Sequence, residues 1–394
     1  MDNGTIVTKI LEKHSQHLKK LEKIKKNRYI YKELSKISKE KEYFLGITGL
    51  RGIGKTILLL QLTRETNGIY ISADDRDLRG VDLYDIIKAL SEAGYKKILI
   101  DEIHTKPNWD SDLKTIFDEK IGYIIFSGSS SIKLKNLKAD LSRRVILEHL
   151  KPASFREWLS IKKNTNVPLI SLKDITTKKR QLTKKYGYLH KYLGEYYERG
   201  GVLYETKTGF YKTIISTIET IAIIDLSIIK KIDPEVEENF FKLLYLIAES
   251  KPLELTYSKI GNILDKNKVW VMRFLADVEK TESIKRIYSC SKGVKKARKE
   301  AKYYLPFPYR VSLCTSSNKQ PEIGSLREEF FINHLDCCFI KTSNTATADF
   351  KIKNKTFEIG GISKGKKQKA DYIIVDGLDT SQNKIPLFLF GLLY

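Results

Sequence analysis

Gly49-Leu50-Arg51-Gly52-Ile53-Gly54-Lys55-Thr56 lies between an apolar run, Tyr43 to Thr48, and an apolar helix start, Thr56-Ile57-Leu58-Leu59-Leu60-Gln61-Leu62. Gly49, Gly52 and Gly54 let the backbone turn tightly enough for its N–H groups to converge on an anion. Lys55 adds a point charge for the β- and γ-phosphates, and Thr56 offers a hydroxyl to Mg²⁺ where a helix N-terminus itself favours anions. The spacing and its context define a P-loop. Gly49, Gly52, Ile53, Gly54, Lys55, Thr56 and Ile57 are the residues expected around a triphosphate.

Around this loop, from Glu42 to about Leu150, strand-like and helix-like segments alternate, as in a parallel sheet covered on both faces. The expected strands are Phe44 to Thr48, Ile69 to Ser72, Lys97 to Asp101, Tyr123 to Ser127 and Arg144 to Glu148. Ile98-Leu99-Ile100-Asp101-Glu102 ends an apolar strand in two carboxylates about fifty residues after the P-loop, the pattern of a Walker B element. Phosphoryl transfer depends mainly on positioning and charge neutralisation, so Asp101 is assigned to Mg²⁺ through water and Glu102 to the attacking water. Phe126-Ser127-Gly128-Ser129-Ser130 ends the next strand, where Ser127 or Ser129 either senses the γ-phosphate or caps a turn. Arg143 and Arg144 precede the last strand. Each is either an arginine finger, in cis or in trans, or a surface arginine; Arg144 is the one assigned to catalysis. His104 either responds to nucleotide or packs.

The chain has 394 residues and a formal charge of +23, spread in short runs such as Lys19-Lys20, Lys295-Lys296 and Lys364 to Lys369. That surplus fits a polyanionic partner, or equally a lysine-rich solvated surface. Cys290, Cys314, Cys337 and Cys338 show no CxxC spacing and no pairing with histidine suited to zinc, so they are expected to be incidental thiols in a reducing compartment. No signal-like segment follows Met1 and the apolar stretches are short or interrupted, so a soluble, cytoplasmic protein without a membrane partner is expected.

Five segments follow from the pattern. Residues 1–41 carry Ile6, Ile10, Leu11, Leu18 and Leu21 at helical spacing among lysines and read as basic N-terminal helices; residues 42–155 are the P-loop domain. Residues 156–232, rich in tyrosine and lysine, read as a helical lid or connector. Residues 233–304 contain three helices, the second capped by Thr256 and the third from about Asn267 to Glu279, and then strand-like Ser283 to Tyr288, the order of a winged helix. Lys266, Asn267, Lys268 and Arg273 would decorate that third helix, with Val269, Met272, Leu275 and Ala276 as its core stripe. Such a unit either binds double-stranded DNA or serves only for packing. Residues 291–304, with Lys292, Lys295, Lys296, Arg298, Lys299 and Lys302, are a basic stretch read as a wing tip or linker. Residues 305–394 suggest a small α/β fold, with a helix at Leu326 to Leu335 and strands at Ala348 to Ile352, Phe357 to Ile359, Tyr372 to Val375 and Pro386 to Leu389.

Together these elements resemble a prokaryotic, notably archaeal, family of AAA+-like (STAND-type) ATPases in which a P-loop domain precedes a winged helix and a nuclease-like domain. The likeness rests on the P-loop, Ile100 to His104, Ser127 to Ser130, Leu150-Lys151-Pro152-Ala153-Ser154-Phe155-Arg156-Glu157-Trp158, Tyr192 to Gly201 and the closing Ile385 to Tyr394. It implies ATP as the nucleotide, in keeping with the lack of an Asn-Lys-x-Asp guanine-reading segment, and it admits a homo-oligomer. The last domain is similar to the PD-(D/E)xK nuclease fold, with Glu329, Asp349 and Glu358 as its acidic cluster. The lysine expected two residues after Glu358 is Gly360; either Lys364 or Lys366 substitutes from the following loop or, the plainer inference, the domain is degenerate.

Overall fold

The structure is a computed structural model that describes residues 2–394 other than 23, 129–140, 142, 205–207, 232, 253–254, 292–299, 341–347 and 362–369. The chain forms two compact units, Met1–Lys151 and Pro152–Tyr394.

The first unit is built on a five-stranded sheet in the order β2-β3-β4-β1-β5. Its strands are β1 (Phe44–Thr48), β2 (Ile69–Ser72), β3 (Lys97–Asp101), β4 (Tyr123–Gly128) and β5 (Val145–His149). All pairings are parallel. Leu45, Ile47, Ile98, Leu99, Ile100, Ile124, Ile125 and Phe126 are inaccessible to solvent, as strands covered on both faces require. Helices α1 (Asn3–Leu21) and α3 (Lys55–Thr66) pack on this sheet, α2 (Tyr31–Glu40) packs on α3, and α4 (Leu83–Glu92) packs on α1 and on α5 (Trp109–Asp118), whose Phe117 and Trp109 rings meet Phe44 and Phe126 of the sheet. Helix α1 buries Ile6, Ile10 and Leu21 of its anticipated stripe, and Asp2 caps it by accepting from the Thr5 N–H.

The strand order decides where the chemistry collects. β4 lies between the P-loop strand β1 and the Asp101 strand β3, so the ends of β1, β4 and β3 reach the same carboxyl edge of the sheet, where ligands of open α/β sheets bind.

The second unit holds a mixed sheet ordered β12-β11-β10-β9-β8, comprising β8 (Cys338–Phe339), β9 (Phe350–Ile352), β10 (Lys355–Gly360), β11 (Tyr372–Val375) and β12 (Lys384–Pro386). β10, β11 and β12 run parallel, and β9 is antiparallel to both β8 and β10. One apolar cluster draws Phe155, Trp158, Tyr196 and Tyr197 together with Phe330, Phe357, Phe388 and Phe390. Segments read separately from the sequence therefore share a core. Tyr196 and Tyr197 are buried by it, and the Tyr196 hydroxyl donates to the Ala153 carbonyl (2.7 Å). The capping box of Ser154 and Glu157 starts the helix Phe155–Lys163 that carries Trp158 into the cluster.

Helices Pro234–Glu249, Tyr257–Leu264 and Lys268–Lys280 follow one another and lead to the antiparallel pair β6 (Lys285–Ile287) and β7 (Lys302–Tyr304). Asp233, Thr256 and Asn267 cap the three helices with their side chains, each accepting from a backbone N–H three residues on.

Several readings of this unit are corrected. Helix Lys268–Lys280 buries Val271, Phe274, Leu275 and Val278, whereas Val269 and Met272 are exposed (58% and 44%). Both sets have helical spacing and share Leu275, so the period was right and the phase was not. Pro386 to Leu389 is not a strand throughout: β12 stops at Pro386 and a 3₁₀ helix runs from Leu387 to Leu392. The run is apolar all round, and periodicity cannot separate strand from helix there. Cys290 and Cys338 form a disulfide, Cα–Cα 5.0 Å, in place of two free thiols. The pairing of Ser289 with Phe339 brings them together across 48 residues, a long-range contact that local spacing does not reveal. Most of the 292–302 stretch, with Lys364 and Lys366, lies outside the described residues.

Glu329 does not join an acidic cluster. It is buried against Arg310, at 2.9 Å to Nε and 2.8 Å to Nη2, and it accepts from the Leu305 N–H. Neutralising one partner leaves a buried charge, so Glu329→Gln is expected to cost about 3–5 kcal/mol, measured by urea unfolding. A loss below about 1 kcal/mol would mean that the pair does not anchor this unit.

Candidate nucleotide-binding site

The P-loop wraps the N-terminus of α3. Gly49, Gly52 and Gly54 have φ of +147°, +80° and +96°, values that side chains disfavour. At Gly49 a Cβ would also lie 2.4 Å from the Leu150 carbonyl oxygen. Lys55 is buried, and its Nζ donates to the carbonyls of Gly49 (2.7 Å) and Leu50 (2.8 Å). The ammonium is thereby held against the loop. Ile53 is buried, Ile57 half-buried and Thr56 exposed.

Asp101 ends β3 and is 3% exposed. Two hydroxyls donate to its carboxylate, Ser127 to Oδ1 and Tyr70 to Oδ2 at 3.1 Å, and the nearby Thr56 side chain favours its charged form. Burial pushes this carboxyl above its ordinary value, and the hydrogen bonds pull it back in part. Thr56 and Asp101, read from the sequence as metal holders, lie near enough for the Thr56 side chain to favour the charged form of the carboxylate. Their donors are oxygens only, and no group of three or more Asp, Glu, His or Cys suited to a metal occurs among the described residues. That donor set fits Mg²⁺, which is usually held by one or two carboxylates together with substrate phosphates and water.

Glu102 follows in the left-handed region, φ +50° and ψ +43°, at the start of a 3₁₀ turn, Ile103–Thr105. A non-glycine residue costs about 1 kcal/mol or more there, and such strain gathers at functional sites. The Ser127 Oγ accepts from the Glu102 N–H (3.4 Å), and Glu102 Oε2 stands 3.4 Å from Nε2 of buried His104. His104 thus both packs and touches Glu102.

Ser127 is brought to the site but is inaccessible and spent on Asp101, so it orients that carboxylate and does not present its hydroxyl to a phosphate. Ser129 lies outside the described residues. Arg144 is not brought to the site. It precedes β5, at the amino edge of the sheet, where it pairs with Asp118 through Nε (2.8 Å) and Nη2 (2.9 Å). A strand's length, about 16 Å at roughly 3.3 Å per residue, separates it from the carboxyl edge. Arg144 is therefore corrected as a finger acting in cis; its order in the sequence hid the end of the strand on which it sits.

Two contributors were missed. Tyr70 looked like an ordinary strand residue. Arg28, one basic residue among many, is buried and donates through Nη1 to the Ile53 carbonyl and through Nη2 to that of Lys151 (2.7 Å). It ties the P-loop to the segment after β5. No local pattern announces either residue, because both act through chain reversal. Arg28→Met removes donors from two carbonyls and is expected to lower stability by about 2 kcal/mol in thermal or urea unfolding; an unchanged midpoint would show that the tie carries no load.

The loop, the strand order and the paired carboxylates define a P-loop NTPase fold of AAA type in the first unit. Comparison agrees: residues 41–159 match the family model described as an AAA domain. The chain is 31% identical over 301 residues to the uncharacterized protein MJ1637 of Methanocaldococcus jannaschii, covering 70% of this chain and 63% of that protein, less than two thirds of its length. MJ1544 of the same organism, also uncharacterized, is 25% identical over 367 residues, covering 86% and 76%. Similar solved structures include AMPPCP-bound DnaA from Aquifex aeolicus, with 17% identity, 64% of this chain and 88% of that chain covered, and a TM-score of 0.27. Another is the Thermotoga maritima Holliday junction branch migration motor RuvB, with 13% identity, 75% and 96% covered, and a TM-score of 0.30. No helix among the described residues is long and apolar enough to cross a membrane.

Proposed function

We propose that the first unit binds ATP with Mg²⁺ and hydrolyses it to ADP and phosphate. The observation that carries this reading is the convergence of Lys55, Thr56, Asp101 and Glu102 on one sheet edge, where β4 lies between the P-loop strand and the Asp101 strand and the Thr56 side chain favours the charged form of Asp101. Lys55 is placed to turn from the loop carbonyls toward the β- and γ-phosphates, and the loop N–H groups cradle their oxygens. Thr56 and Asp101 would hold Mg²⁺, which supplies charge neutralisation on the phosphates when bound. Glu102, at the strained strand end, accepts a proton from or orients the attacking water, and His104 limits where its carboxylate swings.

Two variants test this. Lys55→Ala is expected to weaken binding of a fluorescent ATP analogue at least tenfold. Glu102→Gln is expected to bind it normally while hydrolysis falls about a hundredfold or more, the size of a lost general base. Turnover equal to wild type in Glu102→Gln would remove Glu102 from the mechanism.

A second reading, favoured by the exposed face of Lys268–Lys280, makes double-stranded DNA the partner of the winged helix read at residues 233–304. Val269 and Met272 stand outward beside Lys268 and Arg273, and apolar groups flanked by cations suit thymine methyls and phosphates in a major groove. Met272→Glu is expected to weaken a salt-sensitive gel shift at least tenfold without changing ATP hydrolysis in the absence of DNA. Binding that does not respond to Met272→Glu would place the DNA contact elsewhere. Nuclease chemistry is not part of this proposal, because Gly360 stands where a lysine is needed and Glu329 is committed to Arg310.

A further inference from the structure

Tyr70 sits on β2, the outer strand of the sheet, in register with Leu99, and its phenol reaches along β3 to Asp101. Edge strands offer N–H groups that lack a neighbouring strand. Here helix α1 supplies the missing acceptor: the Tyr70 N–H donates to His14 Nδ1 at 3.1 Å. One helical turn on, the His17 ring packs against the phenol, centroids 5.0 Å apart at 55°. Helix α1 is fastened to the same end of the sheet by Lys13, which pairs with Asp75 and with Asp77 (2.5 Å) in the turn after β2. The tyrosine is thus gripped through both backbone and ring.

The geometry points to Tyr70 as a positioning residue for the metal-facing carboxylate, with His14 and His17 of α1 as its support, an inference that rests on the Mg-ATP reading above. The two carboxylate oxygens of Asp101 are pinned from opposite sides, Oδ1 by Ser127 and Oδ2 by Tyr70, which fixes the plane of the carboxylate. Without the phenol hydroxyl, Oδ2 loses its tie and only Ser127, on Oδ1, still restrains rotation of that plane about the Cβ–Cγ bond. Mg²⁺ demands near-octahedral geometry, so the orientation of a single protein carboxylate sets how well the ion is held. Partners that orient a metal ligand matter nearly as much as the ligand, typically by 10–100-fold in affinity. The N-terminal helix, read from the sequence only as a basic amphipathic helix, thereby acquires a route to the metal through two side chains. Anything that lifts α1 from β2 would lower the affinity for the ion.

The test uses the full-length protein and a fluorescent ATP analogue, titrated with Mg²⁺ and, separately, in EDTA. Tyr70→Phe keeps the ring and removes only the hydroxyl. The inference expects the Mg²⁺ concentration at half-saturation to rise on the order of tenfold, while the affinity in EDTA stays within about twofold of wild type. His17→Ala, which removes the ring that packs on the phenol, is expected to shift the Mg²⁺ midpoint in the same direction by a smaller factor, with melting temperature recorded for both variants. An unchanged Mg²⁺ midpoint in Tyr70→Phe would overturn the inference. So would an equal loss of affinity with and without Mg²⁺, which marks a merely structural tyrosine. A wild-type protein that fails to bind the analogue in Mg²⁺ would instead remove the ATP reading itself.

Discussion

Asp101 is a carboxylate at the end of a fully covered strand, 3% exposed. Burying such a group costs several kcal/mol unless hydrogen bonds or a cation answer for its charge. The first unit answers with hydrogen bonds from Tyr70 on β2 and Ser127 on β4, and with the Thr56 side chain at the start of α3, which favours the charged form. Each must reach Asp101 from its own direction. That requirement constrains the register of β2 against β3, the depth of β4 between β1 and β3, and the angle at which the P-loop enters α3. The left-handed turn at Glu102 follows from the same crowding, since the chain leaves β3 with its next N–H directed at the Ser127 hydroxyl.

A P-loop beside this carboxylate is held from outside as well as from within. Lys55 closes it from the inside through the Gly49 and Leu50 carbonyls, and Arg28 reaches the Ile53 carbonyl from the segment before β1. Buried cations satisfied by loop carbonyls favour one loop geometry over many, which lowers the ordering cost of receiving a triphosphate.

Much of this was legible in the sequence. The glycine spacing, the Asp-Glu pair and the five strands carry local signals, and each strand lies within a residue of its expected ends. What was not legible depends on the sheet's permuted order. Ser127 reads as a phosphate sensor until β4 is seen beside β3, and Arg144 reads as a finger until its end of β5 is known. Tyr70 has no pattern at all, because its partner lies 31 residues away on the neighbouring strand. In the second unit, adjacent residues exchange roles for the same reason. Glu329 points to Arg310, whereas Glu328 takes the Tyr304 hydroxyl and feels the charge of Asp349, and helical periodicity alone does not choose between neighbours.

The proposed site requires Thr56 and Asp101 to hold one ion between them. The most direct measurement is a double-mutant cycle with Thr56→Ala and Asp101→Ala, reading the gain in ATP-analogue affinity that Mg²⁺ confers. If both residues serve the same ion, either single substitution removes most of that gain and the pair together removes little more. Losses that add independently, or a gain that survives in both single variants, would contradict the site described.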